Sequence, residues 1–245
     1  MKTIAMIPAR YGSSRFPGKM LAPLCGKPVI LRTCEAAYGM DFFDEVYVVT
    51  DDDRIYDTVT SNGFKCIKSI REHETGSDRI AEAVSGIDCD IVVNIQGDEP
   101  FTSAETIRKV LAPFENDIRG EIDLCTLKER MTGNEEILNP NNVKVITDSS
   151  GYAIYFSRSP IPYPMNEGRA EYFRHIGIYA FRKSAIKEFA SMPKGHLEAA
   201  ERIECLRFIE NGKRIMVTET SGMKVSIDTP EDLAMAEAIM SSMKK

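Results

Sequence analysis

Zinc-binding spacing is missing from this sequence. Its six cysteines (Cys25, Cys34, Cys66, Cys89, Cys125 and Cys205) include no C-x-x-C pair, and only three histidines occur, His73, His175 and His196. That argues against a zinc site and leaves the thiols as small reduced core residues of an intracellular protein. A basic excess is missing as well. The net charge of −6 argues against a surface that coats nucleic acid, although a local basic pocket for a phosphorylated ligand remains open. No window approaches the ~20 apolar residues of a membrane span. The first apolar stretch is broken by Pro8 and Arg10 before it reaches signal-peptide length. A cytoplasmic protein with no nucleic-acid or membrane partner is therefore expected. Internal repeats, low-complexity tracts and clear linkers are also absent.

What is present is strand–helix alternation. Thr3–Ala9 reads as a buried strand, followed by a helix at Pro28–Tyr38, a strand at Val46–Thr50 and a helix at Asp51–Thr60. Strands at Phe64–Lys68 and Ile91–Ile95 bracket a helix at Ser77–Val84. A helix at Thr102–Phe114 follows, with Thr102 and Glu105 spaced as a capping box. Apolar strands alternating with helices predict a parallel sheet covered on both faces, an α/β fold. The second half is less regular. Strands are expected at Val143–Thr147, Tyr152–Phe156, Arg174–Phe181 and Arg214–Glu219, with a long helix at Leu197–Ile209. Ser159–Pro164 carries three prolines and must be extended. Thr229-Pro230-Glu231-Asp232 opens a last helix, with Thr229 as N-cap and Pro230 at N1. One domain, residues 1–245, with an extended arm near 155–180 is the simplest account.

The loop after the first strand is neither a Walker A loop nor a G-x-G-x-x-G fingerprint. It reads Pro8-Ala9-Arg10-Tyr11-Gly12-Ser13-Ser14-Arg15-Phe16-Pro17-Gly18-Lys19. Ligands of open α/β sheets bind at the carboxyl ends of the strands. Gly12 and Gly18 let backbone N–H groups approach an anion, and Arg10, Arg15 and Lys19 suit a triphosphate. A solvated loop with scattered charge has the same composition. Gln96-Gly97-Asp98-Glu99-Pro100 follows the fourth strand and carries Asp98 into the same crevice. A carboxylate facing a triphosphate needs a cation between them, and magnesium takes one or two carboxylates beside phosphate oxygens. The alternative is that Asp98 and Glu99 only make a turn. Asp228 lies at the boundary before the last helix, either as a second metal ligand or as an extra capping group. Two strand-end aspartates and a three-cation loop together suggest nucleotidyl transfer.

These residues resemble the 3-deoxy-manno-octulosonate (Kdo) cytidylyltransferase family. Ile7 through Lys19 is similar to its N-terminal signature and Val93 through Pro100 to its metal motif. Asn139 through Val145, Tyr155 through Pro162, His175 through Tyr179 and Asp228 through Leu233 are similar to further family blocks, in order along the whole chain. The resemblance implies a mostly parallel, doubly wound, Rossmann-like sheet of the nucleotide-diphospho-sugar transferase type. It also implies a homodimer built partly by the arm, and dependence on Mg2+. It implies CMP transfer from CTP to the anomeric hydroxyl of Kdo, an acidic 2-keto-3-deoxy sugar, with release of pyrophosphate. By the same resemblance Arg10, Arg15 and Lys19 hold the CTP phosphates, beside Pro8 and Ala9. Thr75, Gly76 and Arg79 lie near the cytidine, and Asp98 and Asp228 carry the metals. Gln96, Arg158, His175, Tyr179 and Glu204 line the sugar site. Lys19, Asp98 and Asp228 are the expected catalytic groups.

Three positions depart from the family pattern. Cys205 stands where the family usually has Gln, which keeps open a different acidic sugar, such as 8-amino-Kdo or a sialic-acid-like nonulosonate. Lys224-Val225-Ser226-Ile227-Asp228 lacks the usual Gly before the second aspartate. Thr75-Gly76-Ser77-Asp78 exchanges hydroxyl residues, a mild change. A sugar-nucleotide-dependent glycosyltransferase is a rival reading, against which the triphosphate-suited loop speaks. The sequence leaves open whether the product serves lipopolysaccharide biosynthesis, a capsule or another glycan.

Overall fold

The computed structural model describes every residue except Ser14, Glu72, Glu74, Glu167, Lys224, Lys244 and Lys245. Ser14 of the basic loop and Lys224 ahead of Asp228 thus lie outside the described residues. The chain divides into two compact units, Met1–Ile107 with Met223–Lys245, and Arg108–Gly222.

The first unit opens with β1 (Thr3–Ala9), all seven residues of which are buried. A short antiparallel pair, β2 (Pro23–Leu24) and β3 (Lys27–Pro28), leads into α1 (Val29–Tyr38). Then come β4 (Glu45–Thr50), α2 (Asp53–Ser61), β5 (Cys66–Lys68), α3 (Gly76–Ala83) and β6 (Ile91–Asn94). β1 pairs in parallel with β4 on one side and β6 on the other, and β5 extends the sheet beyond β4. The first two crossovers therefore run one way, and the third returns to the opposite side of β1. The carboxyl ends of β1 and β6 flank a topological switch point, the place where such sheets bind ligands.

α4 (Ala104–Glu115) corrects one expectation. Thr102 does not cap it: its hydroxyl donates back to the Glu99 carbonyl at 3.0 Å. Ser103 does so instead, its Oγ accepting from the Thr106 N–H at 3.2 Å. Thr102 and Ser103 are both good N-cap residue types, and the turn at 96–102 claims the first.

The second unit holds β7 (Leu124–Met131), α5 (Asn134–Leu138), β8 (Lys144–Thr147), β9 (Ala153–Ser157), β10 (Tyr172–Arg182) and α6 (Lys183–Ser191). α7 (His196–Glu201), α8 (Cys205–Glu210) and β11 (Ile215–Thr220) complete it. β7 pairs antiparallel with β10 and parallel with β11, and the β8–β9 hairpin meets β10 at Arg174 and Lys144. Ser159–Pro164 is neither helix nor strand, as its prolines require.

The long helix expected at Leu197–Ile209 is broken. Arg202 sits in the left-handed region (φ 55°, ψ 47°) and ends α7. The Arg158 guanidinium takes the carbonyls of Glu201 (2.6 Å) and Arg202 (3.3 Å), which a continuing helix would need. The Glu198–Arg207 pair straddles the break, both side chains buried and bidentate at 2.7 Å.

The chain then returns to the first unit with α9 (Pro230–Ser242). Thr229 caps it in a reciprocal capping box with Asp232, with Pro230 in its first turn. Among the described residues, no helix is long and apolar enough to cross a membrane.

Candidate active site

At the switch point, α1 and the loop after β6 are joined by Thr33, whose hydroxyl donates to the Gly97 carbonyl at 2.9 Å. Gly97 has no room for a side chain. A Cβ there would lie 3.0 Å from Met20 Sδ and 3.1 Å from the Pro8 carbonyl oxygen. Only glycine lets this loop lie against the end of β1 and present Asp98 beside it. From the other end of the sequence, the Ile227 N–H donates to the Asp98 carbonyl at 3.0 Å. Leu24, Val29, Ile227 and Ala236 form a small core, with Phe16 and Val225 packed against it. Phe16 thereby anchors the basic loop, and Ile227 anchors Asp228.

The basic loop is itself pinned. The Gly18 N–H donates to the Tyr11 carbonyl at 3.0 Å, and Gly18 has φ +74°. A Cβ on Gly18 would meet the Tyr11 ring at 3.1–3.4 Å. On that ring lies the Arg54 guanidinium, 3.3 Å from the centroid. Arg54 is held in turn by Asp52, the N-cap of α2, at 3.0 and 2.6 Å. Nothing in the sequence pattern points to Arg54; its role appears only in the folded chain.

Lys19 is buried and lies between the two aspartates. Its ammonium donates to Asp98 Oδ2 and, at 3.0 Å, to Asp228 Oδ1. Arg15 reaches the same Asp228 oxygen at 3.1 Å. Burial works against the charge on Lys19, but the Asp98 and Asp228 carboxylates outweigh it and hold its pKa above the ordinary lysine value. The alternative for Asp228, an extra helix cap, is taken by another residue. Asp232 Oδ2 accepts the N–H groups of Asp228 and Thr229 at 3.0 and 2.9 Å, which frees the Asp228 carboxylate for the cations. The alternative for Asp98, a simple turn, holds only for its backbone, since the Glu99 N–H closes onto the Gln96 carbonyl at 3.1 Å.

The other expected nucleotide residues sit nearby in the first unit. Pro8 and Ala9 end β1, and Arg10 is exposed just beyond it. Gly76 starts α3 directly on Pro8, where an added Cβ would come 3.1 Å from Pro8 Cγ. Thr75 is the N-cap of α3: its hydroxyl accepts from the Asp78 N–H at 3.1 Å and donates to Asp78 Oδ2 at 2.8 Å. Arg79 is buried, with one arm on Asp51 Oδ2 (2.8 Å) and another on Ser69 Oγ (3.0 Å), so it braces α3 against the ends of β4 and β5. Gln96 is partly buried and donates to Asn94 Oδ1 at 3.4 Å. The Asn94 side-chain nitrogen is buried with no hydrogen-bond partner.

Arg158, His175, Tyr179 and Glu204, four of the five expected sugar residues, lie in the second unit. Arg158 spends its guanidinium on the carbonyls of Glu201, Arg202 and, at 2.9 Å, Pro140. Buried Lys144 completes that brace by donating to the Arg158, Asn139 and Asn142 carbonyls, and burial holds its pKa below the usual value. His175 packs edge-on to Phe156 and 5.5 Å from the Tyr179 ring. Burial pushes its pKa down to about 4, so it is neutral at physiological pH. Its Nε2 lies 3.0 Å from Thr126 Oγ1, which is also 3.0 and 2.9 Å from the carbonyls of Ile176 and Ile178. The arrangement that makes two hydrogen bonds here sends the one threonine proton to a carbonyl and the Nε2 proton to the threonine oxygen, with Nδ1 as an acceptor. Cys205 is buried and its thiol pKa is pushed far up, first by burial and then by Glu204, while a hydrogen bond with Tyr179 works the other way. A thiol held neutral is no nucleophile.

Residues 4–215 match the family model described as "Cytidylyltransferase". The 3-deoxy-manno-octulosonate cytidylyltransferase of Flavobacterium johnsoniae is 56% identical, over 98% of this chain and 99% of its own length. That of Christiangramia forsetii is 54% identical, over 98% and 97%. Among solved structures, CMP:2-keto-3-deoxy-manno-octonic acid synthetase complexed with CTP superposes with a TM-score of 0.94 at 37% identity, covering 99% of this chain and 100% of that one. A Leptospira borgpetersenii cytidylyltransferase shares the fold, with a TM-score of 0.68 at 18% identity over 99% and 87%. With its basic loop and paired aspartates at the switch point of a parallel sheet, this chain belongs to the cytidylyltransferase family, among the 3-deoxy-manno-octulosonate cytidylyltransferases.

Proposed function

We propose that this enzyme transfers CMP from CTP to the anomeric hydroxyl of Kdo, giving CMP-Kdo and pyrophosphate. The observation that carries the reading is the meeting of Asp98, Asp228, Lys19 and Arg15 at the ends of β1 and β6. The hydroxyl oxygen attacks the α-phosphorus in line, and the bond to the bridging oxygen of pyrophosphate breaks. The residues hold the triphosphate and stabilise the charge that builds on the leaving group, so positioning and electrostatics supply most of the rate. Arg10 and Arg15 suit the phosphate oxygens as planar forks, and Lys19 suits them as a point charge.

Mg2+ is the expected metal, and the donor set fits it: two carboxylates already converge on a single cation, the Lys19 ammonium. Asp98 and Asp228 would hold it, with the rest of its coordination from phosphate and water. When bound it lowers the pKa of the attacking hydroxyl and neutralises phosphate charge. His175, as an Nε2–H tautomer with a free Nδ1, offers an acceptor to a sugar hydroxyl, and neutral Cys205 beside Tyr179 offers little to a polar substituent. A homodimer is supported by the segment at 159–165, where Tyr163 and Met165 are 82% and 85% exposed.

The test is pyrophosphate release with CTP and Mg2+, offering Kdo, 8-amino-Kdo and N-acetylneuraminate in parallel. Release with Kdo is expected. Release only with another sugar keeps the chemistry and moves the specificity to Cys205 and its neighbours; no release with any of them sinks the reading.

A further inference from the structure

Four charges meet at the switch point and cancel. Asp98 and Asp228 contribute two negative charges, and Lys19 and Arg15 two positive ones. The Lys19 side chain is only 8% exposed and Asp98 17%, so this is a partly desolvated ion cluster rather than a surface pair. Among the described residues, no three His, Cys, Asp or Glu side chains cluster as a metal site. A free divalent ion therefore meets two protein carboxylates at most, both already engaged by an ammonium. To enter, it must expel Lys19 from its partners, which leaves a buried ammonium unpaired at high cost. A free triphosphate meets the converse obstacle, since two of its cations are held by carboxylates. The two arriving together resolve both: the metal takes the carboxylates, and the phosphates take the ammonium and guanidinium.

We infer that Lys19 is the resident counter-ion of the metal site, and that divalent metal occupies Asp98 and Asp228 only when a triphosphate draws Lys19 away. Lys19 thus acts first as a plug that keeps the carboxylates from free metal and then as a phosphate ligand. The inference rests on the assignment of Asp98 and Asp228 as metal ligands.

The experiment is a titration with Mn2+ followed by the loss of its free-ion EPR signal, on the intact enzyme without sugar. The wild type is expected to leave Mn2+ free until CTP is added, and then to take up more than CTP alone binds. Lys19→Met is expected to bind about one Mn2+ per chain without nucleotide, at least about tenfold more tightly than the wild type. Adding Asp98→Asn to that variant is expected to abolish the uptake. Lys19→Gln, whose amide still donates to Asp98, guards against a failure of the methionine variant to fold. Equal nucleotide-free binding by the wild type and both variants would overturn the plug while keeping the metal ligands. No uptake by the variants, with normal uptake by wild type and CTP, would overturn it as well. No uptake by the wild type beyond that of CTP alone would instead remove the metal assignment on which the inference rests.

Discussion

Asp98→Asn keeps the shape of the side chain and removes its charge. In the wild type the buried Lys19 ammonium has two carboxylate partners, Asp98 and the 38%-exposed Asp228. Removing the sole partner of a buried charge costs about 3–5 kcal/mol. Asp228 remains at 3.0 Å and water reaches it, so we expect about 1–3 kcal/mol here. For a chain of this size that corresponds to a fall in Tm of roughly 2–12 °C. Turnover should fall further, by at least about 10²–10³-fold, because the metal that Asp98 would hold against the phosphates loses one of its two carboxylates. The two effects separate in a double-mutant cycle with Lys19→Met. With the ammonium gone, Asp98→Asn no longer strands it, so the stability losses are less than additive by about 1–3 kcal/mol. Thermal melts of the four proteins and pyrophosphate release by the wild type and Asp98→Asn suffice. Near-normal turnover in Asp98→Asn would refute the role of this carboxylate in catalysis. Additive stability losses would refute the coupling of Lys19 to Asp98.

Arg54→Ala removes the guanidinium from the Tyr11 ring; the KM for CTP should rise about two- to fivefold with kcat nearly unchanged, and an unchanged KM would show that the loop needs no such clasp. Gly97→Ala pushes a methyl group against Met20 and the Pro8 carbonyl, so stability should drop by about 1–3 kcal/mol for the overpacking, read as a lower Tm, and turnover should drop with it; a wild-type melt would contradict the close approach. The His175 pKa is depressed to about 4 in the folded chain, so its neutral form favours folding. That contribution is complete above about 6.5 and is lost as pH falls toward about 4. His175→Asn should flatten this part of the stability profile, measured by urea melts at a series of pH values, and an unaltered slope would point to other groups.

Much of the first unit was legible in the sequence because single residues decide its elements. Thr3–Ala9 has no polar interruption beyond its first residue and matches β1 at both ends. Thr229, Pro230 and Asp232 start α9 as their capping chemistry demands. Asp98, Asp228 and Lys19 were legible as a group but not as partners, because a lysine near aspartates reads equally as a phosphate ligand. What the sequence hid is tertiary. Nothing local tells Arg202 to leave the helix; the cause is Arg158, more than forty residues upstream, claiming the carbonyls that the next turn would use. Ser103 displaces Thr102 as a cap because the preceding turn uses the threonine hydroxyl. Arg79 and Arg158 looked available for a ligand by residue type, and the folded chain spends both on braces. Arg54 matters only because folding lays it on Tyr11.

The route of the chain sets a clock on the site. The Asp98 segment is complete early, but Ile227 and Asp228, which lock onto it, follow 130 residues later in the sequence. At about 5–20 residues per second, synthesis leaves a gap of roughly 7–26 s. During that interval the nascent first unit can pair Lys19 with Asp98 alone, while the whole second unit emerges. The charge-balanced cluster closes only when the last segment returns, so a ribosome stalled before residue 223 would carry a nearly complete parallel sheet with three of the four charged groups but only one of the three ion pairs.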